Sequence, residues 1–592
     1  MATAESTDTA GPADTADSGS DQDYFEEFPV SARLVRLNFL VAFVALGIGG
    51  LFGMLQALHR TDTLRILSSP DYYTLLTGHG VLLALVFTTF FIAGLFTWGV
   101  SDSLGRELPG DWISWSWWTM MTVGTVMATV AILGGLIDQI PMQADVLFTF
   151  YVPLKAHPVF YVGVVLLLVG SWVAGFDWFR TFWAWRKDNR GERIPLRTFM
   201  VLITMLMWYL STMGVAVEVL IFVLPWSLGI FEQIDPLLTR SLFWFFGHPV
   251  VYFWLMPAYL VWYTILPKLS GGRLFSDGLA RIVFVLFLLL STPVGFHHQY
   301  VDPGIADGFK FVAMTNTMFL LLPSLLTAFT VVASMEHGAR QRGGKGYLGW
   351  LRALPWRDPA FTGMALAGLM FAAGGFSGMV NAGMNINYLI HNTLWVPGHF
   401  HMTVGTAVAL TMMAGSYWLV PQLTGRRLYS RPIGLLQVVL WFVGMVFMSN
   451  AMHRAGLVGI PRRTAEPQYQ NFDFSAAFGS VGELRIQIAL GGLLLFASVV
   501  LFLFNMLLSA IEDPIENPVD DSLVSPLSGA DGSPVVLDNL RLWTGIAVVL
   551  VILAYTLPLA SIVSDAGLLG DSPAFPVVLD WAETLREVVG WR

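Results

Sequence analysis

His248 and Tyr252 lie four residues apart in the apolar run Gly-His-Pro-Val-Val-Tyr, so on a helix they share one face, a turn from each other. Such a pair can serve a single site. His297 and His298 are adjacent and would point about 100° apart on a regular helix, with Pro293 and Gly295 upstream to loosen that geometry. Three imidazoles from two neighbouring helices suit a copper ion, since a nitrogen-only environment without thiolate favours copper or zinc over magnesium or calcium. A lone membrane histidine more often makes an interhelical hydrogen bond, but a His-x-x-x-Tyr combined with a His-His pair is far more specific.

His399 and His401, in Val-Pro-Gly-His-Phe-His, project about 200° apart and face opposite sides of one helix. One helix can thus ligate two separate cofactors. His79 sits between Gly78 and Gly80, which clear space for a large planar group close to the backbone. Two axial histidines make a six-coordinate, electron-transferring haem, whereas one leaves the opposite iron face open for a gas. His79 with one of the pair at 399 and 401 would hold the first haem, and the other would hold a second haem facing the three-histidine metal. The alternative, six histidines that merely pack at mid-depth, is costly because each unpaired polar group loses water.

These residues must be positioned by membrane helices. Of 592 residues, 55% are hydrophobic and 12% charged, the mean hydropathy is +0.64, and ordinary soluble domains carry roughly a quarter charged residues. A soluble globule is excluded. Apolar runs long enough to cross the roughly 30 Å hydrocarbon layer predict about thirteen spans, at 35–57, 76–100, 112–136, 158–183, 197–223, 239–266, 280–300, 309–335, 360–380, 388–420, 432–452, 485–509 and 541–563. The fold class expected is all-α, a polytopic bundle. The absence of cysteine excludes disulfides, iron–sulfur clusters and thiolate metal sites within this chain.

Basic residues cluster on alternate loops, at Arg180–Arg197, Lys268–Arg273, Arg340–Arg352 and Arg426–Arg431. By the positive-inside rule these loops and the N-terminus are cytoplasmic, and thirteen spans leave the C-terminus outside. An outer loop with Arg454, Arg462 and Arg463 breaks the bias, which implies an anionic partner for them. No inverted repeat supports a carrier.

The net charge of −9 is concentrated in two segments, one before Pro29 and one from Glu512 to Asn539, which hold fifteen acids and no Lys or Arg. Both read as solvated tail or linker, and acidity of this kind suits a high-salt, haloarchaeal cytoplasm. The first tail also lacks the basic start of a secretory signal. The organisation expected is an acidic cytoplasmic tail at 1–30, a catalytic transmembrane core of twelve helices at 31–510, an acidic cytoplasmic linker at 511–540, and a last helix with an outer tail at 541–592.

With these motifs in place, the sequence closely resembles subunit I of the haem-copper oxygen reductases, specifically the B family of ba-type cytochrome c oxidases. The resemblance runs from about Arg33 to the last span, and Leu-Thr-Gly-His-Gly-Val, Gly-His-Pro-Val-Val-Tyr-Phe-Trp, Ser-Thr-Pro-Val-Gly-Phe-His-His-Gln and His-Asn-Thr-Leu-Trp-Val-Pro-Gly-His-Phe-His carry it. It implies that His79 and His401 ligate a low-spin haem of b type, His399 a high-spin haem of a type, and His248, His297 and His298 one copper ion. It further implies that Tyr252 is joined covalently to His248 and supplies a proton and an electron when the O–O bond breaks. Arg462, Arg463, His391 and Asn392 match the propionate-holding cluster. Tyr259, Tyr263, Ser324 and Thr327 match the single proton route from the cytoplasm to Tyr252. The tyrosines also fall on one helical stripe, at spacings of seven and four.

The departures from related patterns carry information too. Val250 stands where the better-known A family has a glutamate, so a second, glutamate-ended proton channel is not supported. Asn387 stands where B-family relatives often have an aspartate near the propionates. The activity implied is reduction of dioxygen to water in a respiratory chain, with proton uptake and translocation across the membrane. Without cysteine, the dinuclear copper centre that receives electrons must come with a partner subunit II, alongside which a small one-helix subunit is also expected. The electron donor would be cytochrome c or a blue copper protein, and no nucleic-acid partner is expected. A nitric oxide reductase shares the histidines but lacks the tyrosine of the copper motif, and a bis-haem electron-transfer subunit would leave His248, His297 and His298 without a purpose.

Overall fold

The computed structural model describes residues 24–61, 64–137, 142–465, 480–515 and 525–565. Among them, twelve helices are long and apolar enough to cross a membrane. They are α1 Pro29–His59, α2 Ser69–Leu104, α3 Trp112–Gly134, α4 Pro158–Asp188, α5 Leu196–Ser227, α6 Pro236–Ser270, α8 Asp307–Gln341, α9 Pro359–Ala382, α10 Trp395–Thr424, α11 Arg431–Leu457, α12 Val481–Ser509 and α13 Leu540–Asp565. A shorter helix, α7 Asp277–Leu290, stands where the sequence predicts the seventh span. The chain is a multi-pass membrane bundle.

Local chemistry sets the helix ends. Ser68 with Asp71, and Ser480 with Glu483, form reciprocal capping boxes, and Asp111, Asp235, Ser276, Asp358 and Ser430 each cap an N-terminus through the side chain. These caps satisfy amides that a helix start leaves unpaired. Between helices, small residues allow close approach. A Cβ on Gly124 would meet the Gly163 carbonyl at 2.5 Å, so α3 and α4 touch backbone to backbone. Outward faces carry Leu40, Val44, Val126, Val549 and Leu553 exposed, which suits a lipid surround.

Irregular backbone is concentrated beside the predicted ligands. The sixth span is two helices, Pro236–Gly247 and Pro249–Ser270, joined at His248. Wide π turns cover Val81–Phe87, directly after His79, and His401–Val408. Such turns aim side chains that a regular helix would misdirect. The seventh span departs most from expectation. The helix stops at Leu290, and His297 and His298 stand on a 3-10 turn, Gly295–Gln299. Pro293 has no amide hydrogen with which to continue the helix, so the 100° separation of a regular helix does not apply.

The described part of the acidic linker lies against the bundle end that carries the basic loops. Asp538 bonds Arg193 at 2.6 Å and Arg281 at 2.7 Å, and the Leu527 amide donates to the Leu274 carbonyl at 2.8 Å. Because Arg281 is fully buried, its two carboxylate partners, Asp277 and Asp538, are what make its burial tolerable.

Candidate metal centre and cofactor cavity

One cavity of about 970 Å³ runs through the bundle, and His79, His248, His297, His298, His399 and His401 all line it. His248, His297 and His298 bring one ligand nitrogen each within 4.8 Å of one another. Among the described residues this is the one group of three or more histidines or carboxylates so arranged. His248 Nδ1 lies 3.1 Å from His298 Nε2, a separation that suits two donors converging on one ion better than two isolated rings. His297 turns Nδ1 to the Thr317 hydroxyl at 2.7 Å, leaving Nε2 free, and the Trp244 indole stacks on His298 at 3.7 Å and 7°. The nitrogen-only donor set fits copper or zinc. Tyr252 completes the group, its hydroxyl 2.9 Å from His248 Nε2.

The remaining cavity histidines are each locked through Nδ1. His79 Nδ1 meets the Gly49 carbonyl at 2.8 Å, His401 the Pro397 carbonyl at 2.7 Å, and His399 the Gly374 carbonyl at 3.0 Å. A carbonyl holding Nδ1 fixes the tautomer that leaves Nε2 as a metal ligand. His79 and His401 face each other with ring centres 6.3 Å apart and planes 12° from parallel. Two imidazoles on opposite sides of one metal, bound at about 2.0–2.1 Å, have centres roughly 6 Å apart, so the pair fits a bis-histidine iron. His399 turns away from that pair, toward Gly374 and Ser377 on α9. The opposite-face reading of His399 and His401 is thus realised, although a π turn begins at His401.

Glycines make the space. A Cβ on Gly53 would stand 2.6 Å from His79 Cε1, and one on Gly378 would stand 2.7 Å from His399 Cε1. Neither Gly53, Gly378, Trp244, Ser377 nor Thr317 is singled out by sequence motif. Each is on another helix or segment from the histidine it serves, so helical spacing gives no signal for the contact.

At one end of the cavity Arg462 and Arg463 lie half-buried in a loop. Arg462 reaches the Asn392 side-chain oxygen at 3.0 Å, and Arg463 lies over the Tyr151 and Phe148 rings. Burial, helped by Arg463, brings the Arg462 pKa down to about 9, and no carboxylate among the described residues forms a salt bridge with either guanidinium. Since arginine stays charged in proteins, two such groups facing a cavity suit bound carboxylates. Burial and Arg462 also hold His391 down to about 4, and His391 Nδ1 lies 3.2 Å from Asn387 Oδ1. Asn387 in turn donates to the Asn381 carbonyl at 2.7 Å, so it is fixed as a neutral hydrogen-bonding residue.

Toward the other end, Tyr263 shares a 2.6 Å hydrogen bond with Thr327, and Tyr259 donates to Ser324 at 3.4 Å. Tyr252 and Tyr259 both pack on the Phe287 ring. The four sequence-predicted residues of the stripe therefore meet across α6 and α8, below Tyr252.

Residues 33–494 match the model of the family described as cytochrome c and quinol oxidase polypeptide I. Cytochrome c oxidase subunit 1 of Thermus thermophilus is 42% identical over 546 residues, covering 90% of this chain and 94% of the relative. Cytochrome c oxidase polypeptide 1 of Halobacterium salinarum is 26% identical, over 81% of this chain and 77% of the relative. A solved heme-copper terminal oxidase dimer is 36% identical, with a TM-score of 0.82 over 89% of this chain and 92% of the solved one.

Proposed function

The chain belongs to the cytochrome c and quinol oxidase polypeptide I family, as the catalytic, oxygen-reducing subunit of a cytochrome c oxidase-type enzyme, and from that premise we propose how its own residues divide the work. Haem and copper belong to the family, and the fit of the cavity supports two haems and one copper. His79 and His401 would hold the low-spin haem, His399 the high-spin haem, and His248, His297 and His298 the copper. The low-spin haem is assigned b type and the high-spin haem a type. When bound, these groups supply electron storage and the open metal sites at which dioxygen is reduced.

The protein residues handle positioning and protons. Carbonyl contacts at Gly49, Pro397 and Gly374 hold the three haem-side imidazoles in the ligating tautomer. Tyr252, hydrogen-bonded to His248 Nε2, is assigned to hold a proton beside the copper ligands. Tyr263, Thr327, Tyr259 and Ser324 are assigned to bring protons to it along α6 and α8. Arg462, Arg463, His391 and Asn392 are assigned to the haem propionates, which gives the two guanidiniums anionic partners.

By the distribution of basic loops, the N-terminus faces the cytoplasm and the C-terminus the outside. Proton uptake from the cytoplasm with electron entry from outside makes turnover electrogenic, at about 2.3 kcal/mol for each charge moved against 100 mV. The chain works with other oxidase subunits in the membrane, such as subunit II, and the absence of cysteine assigns the dinuclear copper centre to that partner. The donor assigned is cytochrome c or a blue copper protein.

The observation that carries the copper assignment is the convergence of His248, His297 and His298 within 4.8 Å, beside Tyr252. Reduced-minus-oxidised spectra of the purified complex, with and without carbon monoxide, test it alongside copper and iron counts. Two haems per chain, one of which binds carbon monoxide, and copper beyond the partner's share are expected. Non-haem iron in place of that copper would move the reading to nitric oxide reduction, and no carbon monoxide response would overturn the active-site reading.

A further inference from the structure

The segment that bears His297 and His298 is held by a residue from the far end of the chain. Helix α7 ends at Leu290, and between it and the 3-10 turn at Gly295 the backbone has lost its ladder. Pro293 has no amide hydrogen, and the Val294 amide bonds back to the Thr292 carbonyl at 2.8 Å. Across this break reaches the hydroxyl of Tyr555, on α13. It donates to the Thr292 carbonyl at 3.0 Å and accepts the Gly295 amide at 3.0 Å. One hydroxyl thus satisfies a carbonyl and an amide on both sides of the break, in a region with little water to do so.

The fit is tight. A Cβ on Gly295 would lie 2.4 Å from the Trp244 carbonyl oxygen and 2.5 Å from the Tyr555 hydroxyl. The turn is therefore packed closely against both Tyr555 and Trp244, and the Trp244 indole also stacks on His298. The Tyr555 ring is buried at 3% exposure and packs on Phe245 and Phe296 at 4.3 and 5.1 Å between centres. Its location is fixed from below as well. The linker before α13 is tied to the bundle by Asp538 with Arg193 and Arg281.

We propose that Tyr555 is a positioning residue for the copper site, and that α13 serves to fix the 3-10 turn from which His297 and His298 reach the metal. The proposal rests on the reading of His248, His297 and His298 as copper ligands. It adds a role for a helix that contributes no ligand.

The test is Tyr555→Phe in the full complex, which keeps the ring packing and removes both hydrogen bonds. Thr544→Val on the same helix is the control, since the Thr544 hydroxyl bonds only the Leu540 carbonyl within its own helix. Outer hydrogen-bond partners of metal ligands are worth about 10- to 100-fold in affinity, and a contact to the ligand-bearing backbone belongs at the low end. We expect Tyr555→Phe to lose copper to a chelator at about tenfold lower concentration and to shift the infrared band of carbon monoxide photolysed onto copper. Amide exchange in the 291–299 segment should speed up, with the low-spin haem spectrum unchanged. Thr544→Val should match the parent in all four. Parental copper retention and infrared band in Tyr555→Phe overturn the proposal, even if exchange is faster, because the contact would then be structural only. Equal loss of the low-spin haem also overturns it, by showing a general rather than local effect. A parent complex without copper at this site sinks the ligand assignment itself, so the two failures are told apart.

Discussion

His79 and His401 come from helices more than three hundred positions apart in sequence and still present nearly parallel rings, 6.3 Å between centres and 12° between planes. Their Nδ1 atoms are both tied to backbone carbonyls, so only Nε2 is left to face the gap. Replacing either histidine by alanine should remove one of two haems per chain and the low-spin bands with it. The haem that binds carbon monoxide should remain. Pyridine haemochrome counts and carbon monoxide difference spectra check this, and loss of the carbon monoxide-binding haem instead would reverse the assignment of His399 and His401.

Gly53 and Gly378 give a finer test, because each would place a methyl group against a different ligand ring, at 2.6 and 2.7 Å respectively. Overpacking of this kind costs about 1–3 kcal/mol. Gly53→Ala should perturb the low-spin spectrum and its midpoint potential alone, and Gly378→Ala the high-spin spectrum alone. Spectroelectrochemical titration separates the two, and a shared response would contradict separate haem pockets.

The Tyr252 hydroxyl lies 2.9 Å from His248 Nε2 and is the proposed proton donor. Tyr252→Phe should lower oxygen consumption by about 100-fold or more, in the range typical of proton-transfer groups, while copper content and carbon monoxide binding persist. An oxygen electrode trace near the parent rate would remove Tyr252 from the reaction.

Thr327 and Tyr263 share a 2.6 Å hydrogen bond between α6 and α8. Thr327→Val keeps the shape and deletes the hydroxyl. Proton uptake after oxygen mixing, followed with a pH dye, should slow about tenfold or more, with haem reduction from the donor side unaffected. Unchanged uptake would show that protons take another path.

His391 is held down to about 4 by burial first and by Arg462 next, against an ordinary value near 6.5. The folded state therefore favours the neutral ring. Stability from this group is complete above about pH 6.5 and is lost as the pH falls toward 4, because the unfolded chain binds a proton that the folded chain resists. Haem-depleted protein should melt at a lower temperature at pH 5 than at pH 7, and His391→Gln should shrink that difference. Parallel melting profiles for the two proteins would count against the burial of a neutral His391.

Much of this chain was legible before folding was considered. Apolar runs a membrane's thickness in length located the helices to within a few residues at most ends, because hydrocarbon admits little else than a backbone bonded within its own helix. Paired histidines stood out for the same reason. A polar group at that depth needs a partner, and six of them in the motifs around His79, His248, His297 and His399 leave little but metal chemistry.

What one-dimensional spacing could not supply was geometry across helices. The sequence placed His297 and His298 on a helix, whereas the tertiary structure stops α7 at Leu290 and sets them on a 3-10 turn, since Pro293 breaks the ladder and Tyr555, some 260 residues on, repairs it. Trp244 on His298, Gly53 beside His79 and Gly378 beside His399 are likewise contacts between elements. The sequence alone determined that this is a membrane bundle with histidines placed in pairs at the depth of its helices. Only packing decided which carbonyl fixes each imidazole and which glycine gives it room, because those are properties of neighbours in space, and periodicity reports only neighbours along a helix.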